Sequence, residues 1–243
     1  WALKGADRYI VMTQKEKGRL ESLLPSVKNI QIAPLPIYNA FKEHPENQRE
    51  SRRAIDLPDD EPIILFFGFV RPYKGLDVLI KAFSILIKNI NSAQLLIVGE
   101  FWDDKSSYQS MIKELGLREQ VHIHDKYIPD DSVAPYFKAA DVFAAPYIGG
   151  TQSAALKTAL GFGLPAVATQ IIEDDFLRMI PERCQIVSTG NPQALADALE
   201  KQMGKDILPP TEIEALVKRS WLGMIEAVTE YPGQSAFQKE QKP

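Results

Sequence analysis

The feature that most constrains the fold is a repeated alternation of short, wholly apolar runs with segments of helical period. Residues 63–67 hold no polar residue, the pattern of a strand covered on both faces. Residues 76–90 then place Leu76, Leu79, Ile80, Phe83, Ile85, Leu86 and Ile87 at helical spacing. Strands are predicted at 94–98, 121–124, 142–145, 166–169 and 185–187. Helices are predicted at 108–115, 131–140, 153–162, 192–202 and 211–231. Asp130, Asp131 and Ser132 offer cap chemistry, and Asn191 with Pro192 opens the helix at 192. Before this core, 8–12 and 30–34 read as strands and 15–24 as a helix. Residues 41–51 mix charges without a core period and read as a linker or exposed turn. This order predicts an α/β fold with a doubly wound parallel sheet, Rossmann-like. No internal repeat or low-complexity segment interrupts it.

Composition excludes several function classes. The chain has 243 residues, 45% apolar and 25% charged, which suits a globular core. Its net charge of −4 offers no broad basic field for nucleic acid. The single cysteine, Cys184, excludes an internal disulfide and gives no metal cluster. Three histidines are too few for a zinc site. His122 and His124 alternate in one strand and read as a satisfied or solvent-facing pair. No secretory leader or membrane span is visible, so a reducing, cytoplasmic setting is expected. A start at Trp1 without methionine suggests a fragment of something longer.

Ligands of such sheets sit at the carboxyl ends of strands, so the loops after strands matter most. Three stand out. The loop at 147–153 is small and polar and leads into a helix. Its unpaired N–H groups and the helix dipole favour an anion, with Thr151 and Ser153 adding hydroxyls and Gly149 and Gly150 admitting a ligand. By itself it reads rather as an ordinary strand-to-helix turn, since many such turns bind nothing. The loop at 68–75 carries Arg71 and Lys74, two cations that could meet a diphosphate, beside Gly68. Alternatively it is a solvated basic turn. The loop opening at Gly99, Glu100, Phe101 and Trp102 could line a pocket wall or simply pack its aromatics.

Taken together, residues 66–77, 95–99, 139–146 and 156–165 resemble the group 1 glycosyltransferases, retaining enzymes of the two-domain GT-B fold that use nucleotide-diphosphate sugars. The likeness runs in order from about residue 6 to 228. It implies that residues 1–42 are a remnant of an N-terminal acceptor domain with its linker. Residues 43–210 would be the donor-binding domain, 211–231 a helix crossing back to the acceptor domain, and 232–243 a disordered tail. It implies a catalytic pair, Arg71 and Lys74, on the donor diphosphate, with Gly68 at the strand end. Thr151, Gln152, Ser153 and Ala154 would meet the phosphates at the helix start. His124, Asp125, Lys126 and Tyr127 would frame the base and ribose, with Lys157 nearby. No metal or cofactor is implied, because fixed cations and N–H groups stabilise the leaving diphosphate. The implied partners are the donor, an acceptor glycan, lipid or small molecule, and the missing N-terminal domain, which could touch a membrane peripherally. A fragment of this kind should not transfer sugar alone.

The sequence departs from the family pattern. Many members carry two glutamates separated by seven residues here, the second binding ribose hydroxyls. The matching positions are Gly149 and Lys157. An ammonium accepts no hydrogen bond, so Lys157 is either a third phosphate-facing cation or part of a solvated helix face. The basic residue of the phosphate loop stands at Arg71, where the commonest form has it at the position of Phe69. The Gln-Ser loop looks like a sub-lineage. The alternatives are a non-catalytic nucleotide- or partner-binding module and a nucleotide-sugar epimerase of the same architecture.

Overall fold

A computed structural model describes residues 6, 8–39, 47–172 and 174–229. The expected linker boundary near residue 42 and the expected tail at 232–243 lie outside the described residues.

Strands β1 (Tyr9–Val11) and β2 (Ile30–Ile32) pair in parallel around helix α1 (Gln14–Leu23). Thr13 caps α1, its hydroxyl accepting the Glu16 N–H at 3.1 Å. The next helix, α2 (Gln48–Ala54), overlaps the end of the stretch expected to be a linker. An Asn47–Glu50 capping box starts it. Its docking is polar, which is why no apolar period announced it. The buried Arg52 guanidinium donates to an Asp141 carboxylate oxygen at 2.7 Å and to the Ala139 carbonyl at 2.9 Å.

The main sheet is built from β3 (Ile63–Phe67), β4 (Gln94–Val98), β5 (Val121–His124), β6 (Val142–Ala145), β7 (Ala166–Thr169) and β8 (Cys184–Val187). All pairs are parallel and the spatial order is β5-β4-β3-β6-β7-β8. Alternation along each strand divides the core in two. Ile63, Leu65, Leu96, Val98, Phe143 and Ala168 face one layer, with Phe137, Leu156 and Ile213. Ile64, Phe66, Leu95, Ile97, Val142 and Val167 face the other, with Leu79, Phe83 and Leu199. The first layer contains α5 (Ala134–Ala139), α6 (Ala154–Gly161) and α9 (Pro210–Thr229). The second contains α3 (Leu76–Leu86), α4 (Lys105–Glu114) and α8 (Pro192–Met203). A central strand buried on both faces must be apolar throughout, and β3 is. The fold is therefore the expected doubly wound, Rossmann-like α/β sheet.

A short helix, α7 (Asp175–Arg178), was not expected from the sequence; Asp174 caps it. The histidine pair is satisfied, as one of its readings held. His122 Nε2 lies 2.7 Å from Gln94 Oε1, and the His124 ring meets Tyr136 edge-on. Helix α9 reaches back to the first strands. Ser220 Oγ accepts the Ile37 N–H at 3.0 Å, and Trp221 Nε1 donates to the Ile37 carbonyl at 3.1 Å. Among the described residues no helix is long and apolar enough to cross a membrane.

Candidate functional site: a cavity at the switch point of the sheet

The strand order reverses between β3 and β6, so the loops after these two strands leave the sheet side by side. They are tied together. The Tyr73 carbonyl accepts the N–H groups of Ile148 at 2.8 Å and Gly149 at 3.1 Å. Gly75 has φ +68, and a Cβ there would lie 2.1 Å from the Pro146 carbonyl oxygen. Only glycine allows the loops to approach so closely. Between them, at the carboxyl ends of the strands, opens a cavity of about 420 Å³.

Of the two cations, Lys74 lines this cavity. Burial, and secondarily the nearby Arg71 charge, pushes its pKa down to about 8. Its Nζ lies 5.7 Å from the centre of the Tyr147 ring. Gly68 makes room for it, since a Cβ there would lie 2.8 Å from Nζ. Arg71 is placed differently from the expectation of a second cation in the cleft. It does not line the cavity; its guanidinium lies over the Trp102 ring, 4.3 Å from the centroid. Trp102 in turn packs on Phe69. The third loop thus divides: Gly99 and Glu100 line the cavity, while Phe101 packs against Tyr108 and Trp102 stays on the rim.

The start of α6 also lines the cavity. Gln152, Ser153, Ala154 and Ala155 line the cavity as expected for a helix start that meets an anion. Ser153 is spent on structure. Its Oγ accepts the Leu156 N–H at 3.2 Å and lies 3.0 Å from the buried Tyr147 hydroxyl. The first turn therefore presents backbone N–H groups whose intrahelical acceptors do not exist. Thr151 is turned away from the cavity. Its hydroxyl donates to Glu16 Oε1 at 2.7 Å.

Lys126, Tyr127, Ile128 and Asp130 also line the cavity. His124 and Asp125, expected to frame a base, do not. Asp125 accepts the Phe101 N–H at 3.0 Å and pairs with Lys105 at 2.8 Å. Neither reading of Lys157 holds. It is 1% exposed, and its Nζ lies 2.5 Å from Asp174 Oδ2. The sequence offered no signal for this, because Asp174 comes from a helix that no periodicity revealed.

The family model described as Glycosyl transferases group 1 matches residues 61–204, more than half of the chain. The chain belongs to the group 1 glycosyl transferases. It is 28% identical over 170 residues to the D-inositol 3-phosphate glycosyltransferase of Corynebacterium glutamicum, covering 67% of this chain and 40% of that protein. It is 34% identical over 149 residues to the phosphatidyl-myo-inositol mannosyltransferase of Mycobacterium leprae, covering 60% and 38%. Among solved structures, Anabaena Alr3699/HepE in complex with UDP is similar with a TM-score of 0.68 and 16% identity, over 97% of this chain and 62% of that one. Sucrose-phosphate synthase from Thermosynechococcus elongatus is similar with a TM-score of 0.67 and 23% identity, over 98% and 59%. These likenesses carry the GT-B, Rossmann-like fold. The chain spans about 40% of the length of the curated relatives it matches.

Several cavity residues of this group 1 glycosyl transferase escaped the sequence reading. Tyr73, Thr158 and Phe137 line it, as does Tyr147, whose hydroxyl burial pushes up to about 12. Tyr73 and Tyr147 lie inside the two loops singled out, and their proximity to Lys74 and Ser153 was available as a signal. Phe137 and Thr158 carried none, being core-like positions of helices. Among the described residues, no group of three His, Cys, Asp or Glu is placed to hold a metal.

Proposed function

We propose that this chain is the donor-binding half of a retaining glycosyltransferase of hexosyl type, which takes its sugar from a nucleotide-diphosphate donor. The observation that supports this best is the convergence of the Lys74 ammonium and the open N-terminus of α6 on one cavity. A diphosphate fits that pairing: a point charge on one side and N–H donors on the other. The nucleoside would extend toward Lys126, Tyr127 and Ile128. Structural relatives captured with UDP and with UDP-glucose favour the same ligand class.

When the bond from the anomeric carbon to the diphosphate oxygen breaks, negative charge grows on that oxygen. Lys74 and the α6 N–H groups are fixed where that charge appears, so they need not reorganise. In the empty cavity a Lys74 pKa of about 8 leaves the ammonium mostly charged at neutral pH, and the arriving anion favours the charged form further. Arg71, outside the lining, contributes charge at longer range. The acceptor, whether glycan, lipid or small molecule, and the residues that hold it belong to the missing half. The isolated chain is therefore proposed to bind donor without transferring sugar. Localisation in the cytoplasm, with membrane contact through the missing half, is part of the same proposal.

One observation favours a second reading, a nucleotide-binding module without transfer. The position matched to a ribose-binding glutamate is Lys157, buried against Asp174. Calorimetric titration with UDP, GDP and ADP tests both readings. Saturable binding that Lys74→Ala weakens supports a donor site, and no binding of any of the three defeats it. Transfer assayed on the full-length protein then separates enzyme from module, and turnover of a nucleotide sugar without acceptor would indicate an epimerase.

A further inference from the structure

Glu16 and Thr151 are 135 residues apart in sequence and joined by a 2.7 Å hydrogen bond. Glu16 belongs to α1, beside the β1–β2 pair, which is separate from the main sheet. Thr151 belongs to the loop that delivers the cavity-facing start of α6. The Glu16 carboxylate is held from behind as well, since Oε2 accepts the Met12 N–H at 2.9 Å. The carboxylate thus links the Met12 N–H, just after β1, to the Thr151 hydroxyl of the loop after β6.

The loop needs such a hold. At its entrance the Tyr73 carbonyl fixes Ile148 and Gly149, and at its exit the Tyr147 hydroxyl meets Ser153. Between these fixings the chain passes Gly150 at φ +87, where glycine leaves the backbone free to swing. Thr151 follows immediately, and its hydroxyl faces Glu16.

We propose that Glu16 is a positioning residue of the donor cavity: by accepting the Thr151 hydroxyl it sets the 149–153 loop so that Gln152 and the first N–H groups of α6 face the ligand. The effect on affinity rests on the donor-site reading above; the effect on the loop does not. A carboxylate is required because only it accepts at both oxygens. A glutamine offers one acceptor and sets an amide N–H against the second donor. The arrangement also makes donor binding depend on the first segment of the chain, none of whose described residues lines the cavity.

The test uses the whole chain with Glu16→Ala, Glu16→Gln, Thr151→Val and Thr151→Ser, read by hydrogen exchange of residues 149–155 and by UDP, GDP and ADP titration. Glu16→Ala and Thr151→Val should speed loop exchange and weaken nucleotide binding by about three- to tenfold, the scale of one ordinary net hydrogen bond, since the lost bond acts on the ligand only through the loop. Thr151→Ser should restore both, Glu16→Gln should fall between, and the double variant Glu16→Ala/Thr151→Val should be no worse than either single one. Thr151→Val leaves the α1 contacts of Glu16 in place, so its effect does not report damage to that helix. Unchanged exchange in Glu16→Ala and Thr151→Val, or Thr151→Ser behaving like Thr151→Val, overturns the proposal. If the unaltered chain binds none of the three nucleotides, the donor-site reading falls, and loop exchange alone decides the role of Glu16.

Discussion

The Lys157 ammonium lies 2.5 Å from an Asp174 carboxylate oxygen, and both side chains are sealed from solvent. The pair ties the cap of α7 to α6 through a residue that is not among those lining the cavity. Removing one partner strands the other as a buried charge, which costs about 3–5 kcal/mol, whereas replacing both with apolar residues of similar volume can be neutral. Lys157→Met alone should lower the denaturant midpoint sharply, and Lys157→Met with Asp174→Leu should recover most of the loss. Equal destabilisation by the single and double variants would contradict this account.

Lys74 and Arg71 should separate in a binding assay. Lys74 faces the cavity and Arg71 lies on Trp102 outside it. Lys74→Ala should weaken nucleotide diphosphate binding by roughly 1.5–3 kcal/mol, the scale of a charged hydrogen bond. Arg71→Ala should cost less and show a stronger dependence on salt, as expected for a more distant charge outside the cavity lining. Calorimetry at two ionic strengths checks both.

The depressed Lys74 pKa has two consequences for pH. Affinity for a diphosphate should fall as pH rises through about 8, and Lys74→Ala should abolish that dependence. Stability should move the other way. The unfolded lysine keeps its proton up to the ordinary value of 10.5, whereas the folded one releases it near 8. Between those values the unfolded state binds more protons, so this group raises stability as pH rises. The unfolded Cys184 thiol ionises around its ordinary 9.0 while burial holds the folded one up to about 12, so that group increasingly opposes the trend above pH 8, and the difference between the unaltered chain and Lys74→Ala isolates the lysine. Denaturant titrations of the unaltered chain and Lys74→Ala across this window provide the measurement.

Cys184 should be chemically silent in the folded protein. It is fully buried and its thiolate is disfavoured, while thiol reagents attack the thiolate. A disulfide-exchange reagent should therefore label it at the rate of unfolding, and labelling that outpaces global unfolding would reveal a local opening of the β8 edge.

Most of the sheet could be read from the sequence because its strands are covered on both faces. A residue such as Leu65 or Ile97 has no alternative to being apolar there, so the pattern carries the position. Helices docked through apolar stripes, such as α3, were legible for the same reason. Helices docked through polar contacts were not: α2 is held by Arg52 and Asp141, and α7 is too short to show a period. In the site, Lys74, Gln152, Ser153 and Ala154 could be placed because chain order brings the loops after β3 and β6 together. Which way Arg71, Thr151 and Lys157 point depends on partners distant in sequence (Trp102, Glu16 and Asp174). Loop chemistry alone does not encode those choices.

Helix α9 holds Ile37 through Ser220 and Trp221, across 183 and 184 residues of chain. On the ribosome, Ile37 emerges well before its partners, and the sheet between them can form first. The β1–β2 region must then wait, lacking that anchor, until α9 arrives. Truncating the gene within α9 should therefore leave the nascent β1–β2 segment exposed to protease while the six-stranded core is already protected.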